Sequence, residues 1–412
     1  MLKVDGHGFS PTLLHRILLM AGTAESCESA ATALQIVGEV RISPRTVNEL
    51  GAQLGQQMSA QRDQRAQEYL QRDLPRVATL AQPPVALAAV FCDGGRMRTR
   101  TASGEHGVHE PHWRETKNAA FHRMTSKSCP VDPQPTLPES FRTQAYVEKL
   151  VLGLKKARNP QPELMPGVTP EPTAATLAPP QEPLTWQPQS LLRTCISSLA
   201  GSDDFGLQMA AEAEARGFYA AAKQAYLGDG QGYNWTIQER WFPTFTPIAD
   251  FIHIVEYLYE AAKALHTDQA ARWTRYLAWA QACWQGEAGQ VIDELHQGLE
   301  ASAPASLCEA SRAVLQRTAT YLTHNQPRMA YPRYRREGLP VTSSLAESLV
   351  KQISKRVKGT EKFWDDGPRG EAILQIRAAV ISQDNRLERF LAQRPISPYS
   401  PRCRTSTPVS AA

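Results

Sequence analysis

One uninterrupted apolar segment limits what this chain can fold into. Val85 to Cys92 contains no polar side chain, and the segment ends at Asp93-Gly94-Gly95. It has the length of a strand buried on both faces, and it is far shorter than the roughly 20 residues that span a bilayer. We therefore expect a mixed α/β fold with this strand at the centre of a sheet and a turn at Asp93.

Four further strands complete the expected sheet. They are Trp113 to Phe121, Leu191 to Leu199, Ala225 to Leu227 and Phe245 to Ile252. An alanine-rich amphipathic helix from Asp203 to Phe218 separates the third strand from the fourth. Three strands, a helix and two more strands follow one another in the order of the ribonuclease H arrangement, so a ribonuclease-H-like mixed sheet is predicted as the core.

The length of 412 residues exceeds what one hydrophobic core usually supports. Thirteen of the 30 prolines lie between Pro130 and Pro188, where the composition indicates a linker without a packed core. The predicted segments are a helical region at 1–82, the first part of the core at 83–128, a Pro-rich insertion at 129–190, the second part of the core at 191–252, an all-helical insertion at 253–327, the last part of the core at 328–392 and a disordered tail at 393–412.

The N-terminal region is predicted to contain two helices joined by a short turn. The first runs from Glu25 to Val37, and Ser43-Pro44 supplies an N-cap and a first-turn proline for the second. The pattern is typical of a helix-turn-helix, whose second helix would present Arg45, Thr46 and Asn48 to DNA bases. A plain helical hairpin explains it equally well, because residues 1–82 carry eight basic and eight acidic side chains.

Cysteine and charge usage narrow the class of protein. The seven cysteines are scattered without a C-x-x-C pair, which fits a reducing cytoplasm better than a zinc or disulfide framework. The net charge of +4 is too small to indicate a nucleic-acid partner by itself. Residues 328–377, however, hold eleven Lys and Arg against six Asp and Glu, so positive charge is concentrated near the C-terminus.

Three acidic residues could together bind metal ions. Asp93 and Asp229 each follow a hydrophobic strand and have glycine neighbours, which would let a phosphate backbone approach. Glu347 shares a predicted helix face with Lys351, Lys355 and Lys358. Taken singly, an Asp-Gly pair usually marks a turn. The helix that carries Glu347 could equally be an ordinary surface helix with salt bridges. Together the acids match the carboxylates that Mg²⁺ prefers.

Several blocks of sequence resemble the ISKra-type transposases of bacterial insertion sequences. They are Cys92-Asp-Gly-Gly-Arg96 with Trp113-Arg-Glu-Thr-Lys117, Arg193-Thr-Cys195, Tyr226-Leu-Gly-Asp-Gly230 with Trp235, and a C-terminal signature of Arg328-Met-Ala-Tyr-Pro-Arg-Tyr-Arg-Arg-Glu-Gly-Leu-Pro340, Ala346-Glu-Ser348, Lys351, Arg356-Val-Lys-Gly359, Trp364 and Glu371-Ala-Ile-Leu-Gln-Ile-Arg-Ala378. The resemblance extends over residues 85 to 380 and contains the three acids in the family's order.

The resemblance implies a DDE-type transposase with a ribonuclease-H-like core. Asp93, Asp229 and Glu347 would hold two Mg²⁺ or Mn²⁺ ions, and the substrates would be double-stranded DNA at terminal inverted repeats and target DNA. Pairing two DNA ends usually calls for a homodimer or a larger assembly. Asp250-Phe-Ile-His253 is also similar to the D-x-x-H signature of Mutator-like transposases; its role here is open, since a buried histidine at a strand end is an alternative.

Basic residues around Glu347 are candidates for phosphate contacts, with a solvated face as the alternative. The candidates are Arg333, Arg335, Arg336, Lys351, Lys355, Arg356 and Lys358. Two rival functions stay open: a ribonuclease-H-like nuclease that cuts without joining, and a decayed or domesticated protein that binds DNA without catalysis.

Overall fold

A computed structural model describes residues 3–4, 8–71, 85–100, 111–158, 186–301, 308–343, 349–358, 362–365, 367–394 and 397–398. The strands are β1 (Lys3–Val4), β2 (Leu87–Arg100), β3 (Pro111–Met124), β4 (Ser190–Ser198), β5 (Lys223–Gly228), β6 (Thr246–Ala249), β7 (Trp364–Asp365) and β8 (Ser397–Pro398).

The protein is mixed α/β, with helices on both sides of the main sheet. The helices are α1 (Pro11–Thr23), α2 (Cys27–Gly38), α3 (Pro44–Gln71), α4 (Glu139–Arg142), α5 (Gln144–Arg158), α6 (Ser202–Ala215), α7 (Gly232–Trp241), α8 (Phe251–Leu265), α9 (Gln269–Trp284), α10 (Ala288–Ala301), α11 (Glu309–Asn325), α12 (Tyr331–Glu337), α13 (Leu349–Val357), α14 (Pro368–Ile381) and α15 (Arg386–Ala392). Short 3₁₀ turns lie at Phe218–Ala220 and Gln326–Arg328.

The main sheet has the strand order β4-β3-β2-β5-β6, and β7 pairs with the distal end of β2. Strands β2, β3 and β4 are antiparallel neighbours, whereas β5 and β6 run parallel to β2. The apolar segment predicted as the central strand is central, and Leu87 to Val90 are fully buried. A separate antiparallel pair joins β1 to β8.

The turn expected at Asp93 is absent, and that prediction is wrong. Strand β2 continues through Asp93 to Arg100 and pairs with β3 along its whole length, with Asp93 opposite Asn118. The hairpin partner supplies the backbone hydrogen bonds that keep Gly94 and Gly95 in the strand. The parallel partner β5 ends at Gly228, opposite Cys92, so Asp93 is the first residue of β2 beyond that pairing.

The fifth predicted strand is shorter than expected, because helix α8 begins inside it. Strand β6 ends at Ala249, and the Asp250 carboxylate accepts a hydrogen bond from the backbone N–H of Ile252 at 3.2 Å. This is N-cap geometry. His253, expected near a strand end, therefore lies in the first turn of α8, and the helices α8 to α11 follow as the predicted helical segment.

The Pro-rich segment contains a packed part that the composition did not predict. Leu137, Phe141, Val147 and Val151 are at most 3% exposed and belong to the main core. The side-chain oxygen of Gln281 accepts a hydrogen bond from the Leu137 backbone N–H at 2.9 Å, which ties this segment to α9. The expectation of a linker without a packed core is therefore wrong for the part of the segment that ends with α5. Residues 159–185 lie outside the described residues.

The N-terminal helices form a second core with the C-terminal helices. Leu14 and Ile17 of α1, and Leu50 and Leu54 of α3, pack in one cluster with Ile376 of α14. The two predicted helices are confirmed, and Ser43 caps the second one. Residues 72–84 and most of the predicted tail lie outside the described residues. Among those described, no helix combines the length and apolar character needed to cross a lipid bilayer.

Candidate metal-binding site

Three aspartates lie one residue beyond the last paired residues of neighbouring parallel strands. Cys92 of β2 is paired in register with Gly228 of β5, so Asp93 and Asp229 are the next residues on adjacent strands. Gly228 in turn is paired with Ala249 of β6, which places Asp250 next in the row. Adjacent strands are about 4.8 Å apart. The fold therefore brings Asp93 beside two aspartates that lie more than 100 residues later in the chain. We call Asp93, Asp229 and Asp250 the acidic row.

The acidic row carries more negative charge than its surroundings compensate. Burial, reinforced by the charges of Asp229 and Asp250, raises the pKa of Asp93 to about 7. The charge of His253 and a backbone hydrogen bond from Gly94 act in the opposite direction but are weaker. A site of this kind favours a proton or a cation.

Asp229 is held in one orientation by donors from the loop and helix that follow it. Its Oδ1 accepts hydrogen bonds from the Gln231 backbone N–H at 3.0 Å and the Asn234 side-chain amide at 2.6 Å, and its Oδ2 accepts one from the Gln231 side-chain amide at 2.9 Å. A carboxylate offers about four acceptor positions. Three are occupied in Asp229, and one is left for a further ligand.

The glycines around Asp229 allow close packing of protein groups. A Cβ on Gly230 would lie 2.5 Å from the ring of Tyr321, and a Cβ on Gly228 would lie 3.1 Å from Asn234. The Tyr321 hydroxyl donates to the Asp229 backbone oxygen at 2.9 Å. The expectation that these two glycines make room for a phosphate backbone is wrong, because side chains from α7 and α11 fill that space.

We expect Gly230→Ala to destabilise the protein by about 1 to 3 kcal/mol, because the residue has φ +89° and the added carbon would collide with Tyr321. Thermal denaturation measures the change. Gly232→Ala is the matched control, since it lies two residues away with nothing within 4 Å of its Cβ position. Equal unfolding temperatures for the two variants would contradict this account.

Asp250 acts as a structural junction. Besides capping α8, its carboxylate accepts from the Ser343 backbone N–H at 3.1 Å and from the Ser343 hydroxyl at 2.5 Å. The backbone N–H of Asp250 donates to the Gly228 oxygen at 2.9 Å. Asp250 therefore joins Ser343 to the end of β5.

His253 is the basic group of the site. It is 6% exposed, and its Nδ1 lies 3.8 Å from Oε2 of Glu256. Burial alone would lower its pKa, but the Glu256 contact and the charges of the acidic row outweigh it and raise the pKa to about 9. At neutral pH a positive His253 therefore offsets part of the negative charge of the row.

Polar residues of β3 also lie beside the acidic row. Asn118 is fully buried opposite Asp93, and its side-chain oxygen accepts from the Ser197 hydroxyl at 2.7 Å. Lys117 lies in register with Gly94, 3.1 Å from Glu115 and 4.3 Å from the centre of the Tyr233 ring. Lys117 ends the Trp113-to-Lys117 block of the sequence, whereas only the position of β3 beside β2 identifies Asn118, because no local pattern marks it.

Glu347 lies outside the described residues, which resume at Leu349 in α13. Within the described ranges, no three Asp, Glu, His or Cys side chains are arranged to hold a metal ion. The structure thus brings two of the three predicted carboxylates together, and the third remains a prediction from sequence.

Two of the predicted DNA-contact residues are occupied inside the protein. Arg335 is 5% exposed; it pairs with Asp132 through two hydrogen bonds of 2.8 and 2.5 Å and lies over the ring of Trp284. Arg356 is 3% exposed and donates to the Ala21 backbone oxygen at 2.6 Å. These guanidinium groups hold segments of the protein together, and both are bonded to groups inside it.

The other predicted DNA-contact residues are at least partly accessible. Exposed positions are Arg45, Asn48, Arg333, Arg336, Lys351 and Lys355, and half-buried positions are Thr46 and Lys358. Arg45 forms an ion pair with Glu49 at 2.7 Å, and Thr46 hydrogen-bonds to the Ser43 cap. Their contact with DNA stays a prediction.

No protein-family model matches the chain, and no curated protein sequence matches it significantly. The site is therefore interpreted from its geometry and chemistry.

Proposed function

We propose that this protein is a DDE-type transposase that cuts DNA at the ends of a mobile element and joins those ends to target DNA. The observation that supports it most is the register of the sheet, which sets Asp93 beside Asp229 after the paired residues Cys92 and Gly228. The antiparallel β2, β3 and β4 followed by parallel β5 and β6 also agree with the strand order expected of a ribonuclease-H-like core.

The residues present fit a pair of divalent cations. Asp93 and Asp229 offer hard oxygen ligands, and Asp229 keeps an acceptor position. Burial, together with the neighbouring carboxylates, raises the pKa of Asp93, and a bound cation would favour its charged form. Glu347 is the proposed third ligand. Bound Mg²⁺ or Mn²⁺ would stabilise both the attacking and the leaving oxygen of a phosphodiester.

The protein's own groups orient the reaction. Gln231 and Asn234 fix the Asp229 carboxylate, and Asp250 holds Ser343. In the first step water attacks the phosphorus, the bond to the 3′ oxygen breaks, and that oxygen leaves as a hydroxyl. In the second step the 3′-hydroxyl attacks a target phosphodiester, so one such bond forms as another breaks.

The test combines DNA binding, nicking and joining by the purified full chain. The substrates are a supercoiled plasmid and duplex DNA from the sequence that flanks this reading frame, in Mg²⁺, Mn²⁺ or EDTA. We expect metal-dependent nicking and joined products from the wild type, and binding without nicking from Glu347→Ala.

The rival functions predict other results. Nicking without joined products would identify a nuclease, and a wild type that binds DNA but never nicks it would identify a DNA-binding protein without catalysis. Either result would overturn the transposase proposal.

A further inference from the structure

The part of β2 beyond the acidic row carries a ladder of arginines. Arg96, Arg98 and Arg100 occupy every second position and are exposed or half-buried, whereas Met97 and Thr99 between them are fully buried. Alternate residues of a strand point to opposite faces, so the three guanidinium groups share one face of the hairpin.

Strand β3 adds a tryptophan and a lysine to the same face. Arg98 is paired in register with Trp113, and Gly94 with Lys117. Trp113 is 38% exposed, although it is a large apolar side chain, and the Arg98 guanidinium lies 5.5 Å from its ring centre. Cross-strand partners project to the same side of a sheet.

The segment after α13 contributes another ring and another cation. The guanidinium groups of Arg100 and Arg98 lie 3.8 and 4.5 Å from the ring centre of Phe363, and Lys358 lies 5.9 Å from that of Trp113. Burial and the charge of Arg96 lower the pKa of Lys358. We call the residues Arg96, Arg98, Arg100, Trp113, Lys358 and Phe363 the basic hairpin face.

The described carboxylates opposite the outer arginines of the basic hairpin face are paired with other cations. Asp365, in register with Arg100, lies 3.5 Å from Arg369. Among the residues that the structure describes, neither Arg96 nor Arg100 forms an ion pair, and Glu115 opposite Arg96 is paired with Lys117. Cations crowded together repel one another, so the cluster is stabilised by a polyanion. Its rings are interleaved with the cations, as in surfaces that bind unpaired nucleic acid by backbone contacts and base stacking.

We propose that the basic hairpin face binds an unpaired DNA strand, with phosphates on its arginines and a base stacked on Trp113. Arg96 is three residues from Asp93, or about 10 Å along strand β2, and the alternation of the strand places the two side chains on opposite faces. The inference rests on the proposed function in taking DNA as the ligand. It adds a substrate surface that the sequence had not indicated.

The test measures binding of a fluorescent mixed-sequence single strand of about 20 nucleotides, and of its blunt duplex, by anisotropy in EDTA. For the double variant Arg96→Glu/Arg100→Glu we expect at least about ten-fold weaker binding of the single strand. The slope of log affinity against log salt should also fall by about 0.7 for each lost phosphate contact, and so by about 1.4. Trp113→Ala should weaken single-strand binding roughly ten-fold and duplex binding much less.

The matched control is Arg240→Glu, an exposed arginine outside this face that also lies over an aromatic ring, that of Trp241. Unchanged binding by the folded double variant, an equal loss in the control, or an equal loss of duplex and single-strand binding in Trp113→Ala would each overturn the inference. Because EDTA prevents cleavage, these results are independent of nicking. If the wild type nicks DNA and the double variant still binds the single strand with unchanged affinity, the inference fails while the proposed function stands.

Discussion

Asp93→Asn is expected to stabilise the metal-free protein and to abolish DNA cleavage. The carboxylate is close to Asp229 and Asp250, and its pKa is raised from 3.8 to about 7, which shows that the folded protein disfavours its charge. One pKa unit corresponds to about 1.4 kcal/mol, so we expect a gain of roughly 2 to 4 kcal/mol at pH 8. Loss of a metal ligand should lower the nicking rate by at least about 10³-fold.

The gain in stability should depend on pH. Below about pH 4 the Asp93 carboxyl is protonated in both the folded and the unfolded chain, so its charge has no effect. Between about pH 4 and 7 it ionises more readily in the unfolded chain, and the free energy of unfolding of the wild type decreases. The advantage of Asp93→Asn should therefore be small at pH 4, partial at pH 5 and full at pH 8, as measured by urea denaturation in EDTA.

The matched control for Asp93→Asn is Asp203→Asn, which removes a carboxylate whose side chain is 79% exposed and should change stability little. Added Mg²⁺ should raise the unfolding temperature of the wild type and not that of Asp93→Asn. If Asp93→Asn were less stable than the wild type at pH 8, the acidic row would not be a site of uncompensated charge.

Arg335→Ala is expected to destabilise the fold by about 3 to 5 kcal/mol, because it removes one partner of a buried ion pair and leaves Asp132 uncompensated. The guanidinium also donates to the Trp284 backbone oxygen at 3.0 Å, so the loss affects the packing of α9 against α12. Urea denaturation of the two proteins measures the difference.

The neighbouring residue supplies the control. Arg336 is exposed, and Arg336→Ala should change stability by no more than about 0.5 kcal/mol. If Arg336 contacts a phosphate, Arg336→Ala should weaken DNA binding and lower the slope of log affinity against log salt. Equal stability losses in both variants would show that Arg335 has no special structural role.

Local patterns were sufficient for most of the secondary structure. The continuous apolar segment before Asp93 predicted a strand buried on both faces, and periodicity and capping residues predicted α2, α3, α6 and the helices after His253. These features depend on neighbours within a few residues along the chain, which the sequence displays directly. The packing of Leu137 to Val151 is the exception. The spaced apolar residues of this part lie in a segment whose overall proline content predicts a linker.

Long-range pairing decided the features that local patterns could not. Whether Asp93-Gly94-Gly95 forms a turn depends on a partner strand that begins at Pro111, and β3 keeps these residues in β2. Likewise, Asp250 joins the acidic row because β6 pairs with β5, although its local role is to cap α8. The sequence could identify each acid but not the distance between them.

The chain by itself therefore determined most of the strands and helices, which residues carry acid or base, and where the positive charge is concentrated. Only the tertiary structure decided that Asp93 and Asp229 are neighbours, that Arg335 serves an internal ion pair while Arg336 remains exposed, and that three arginines of β2 share a face with Trp113. The physical reason is that charge and apolar character belong to a residue, whereas burial and proximity depend on the strands and helices that pack around it.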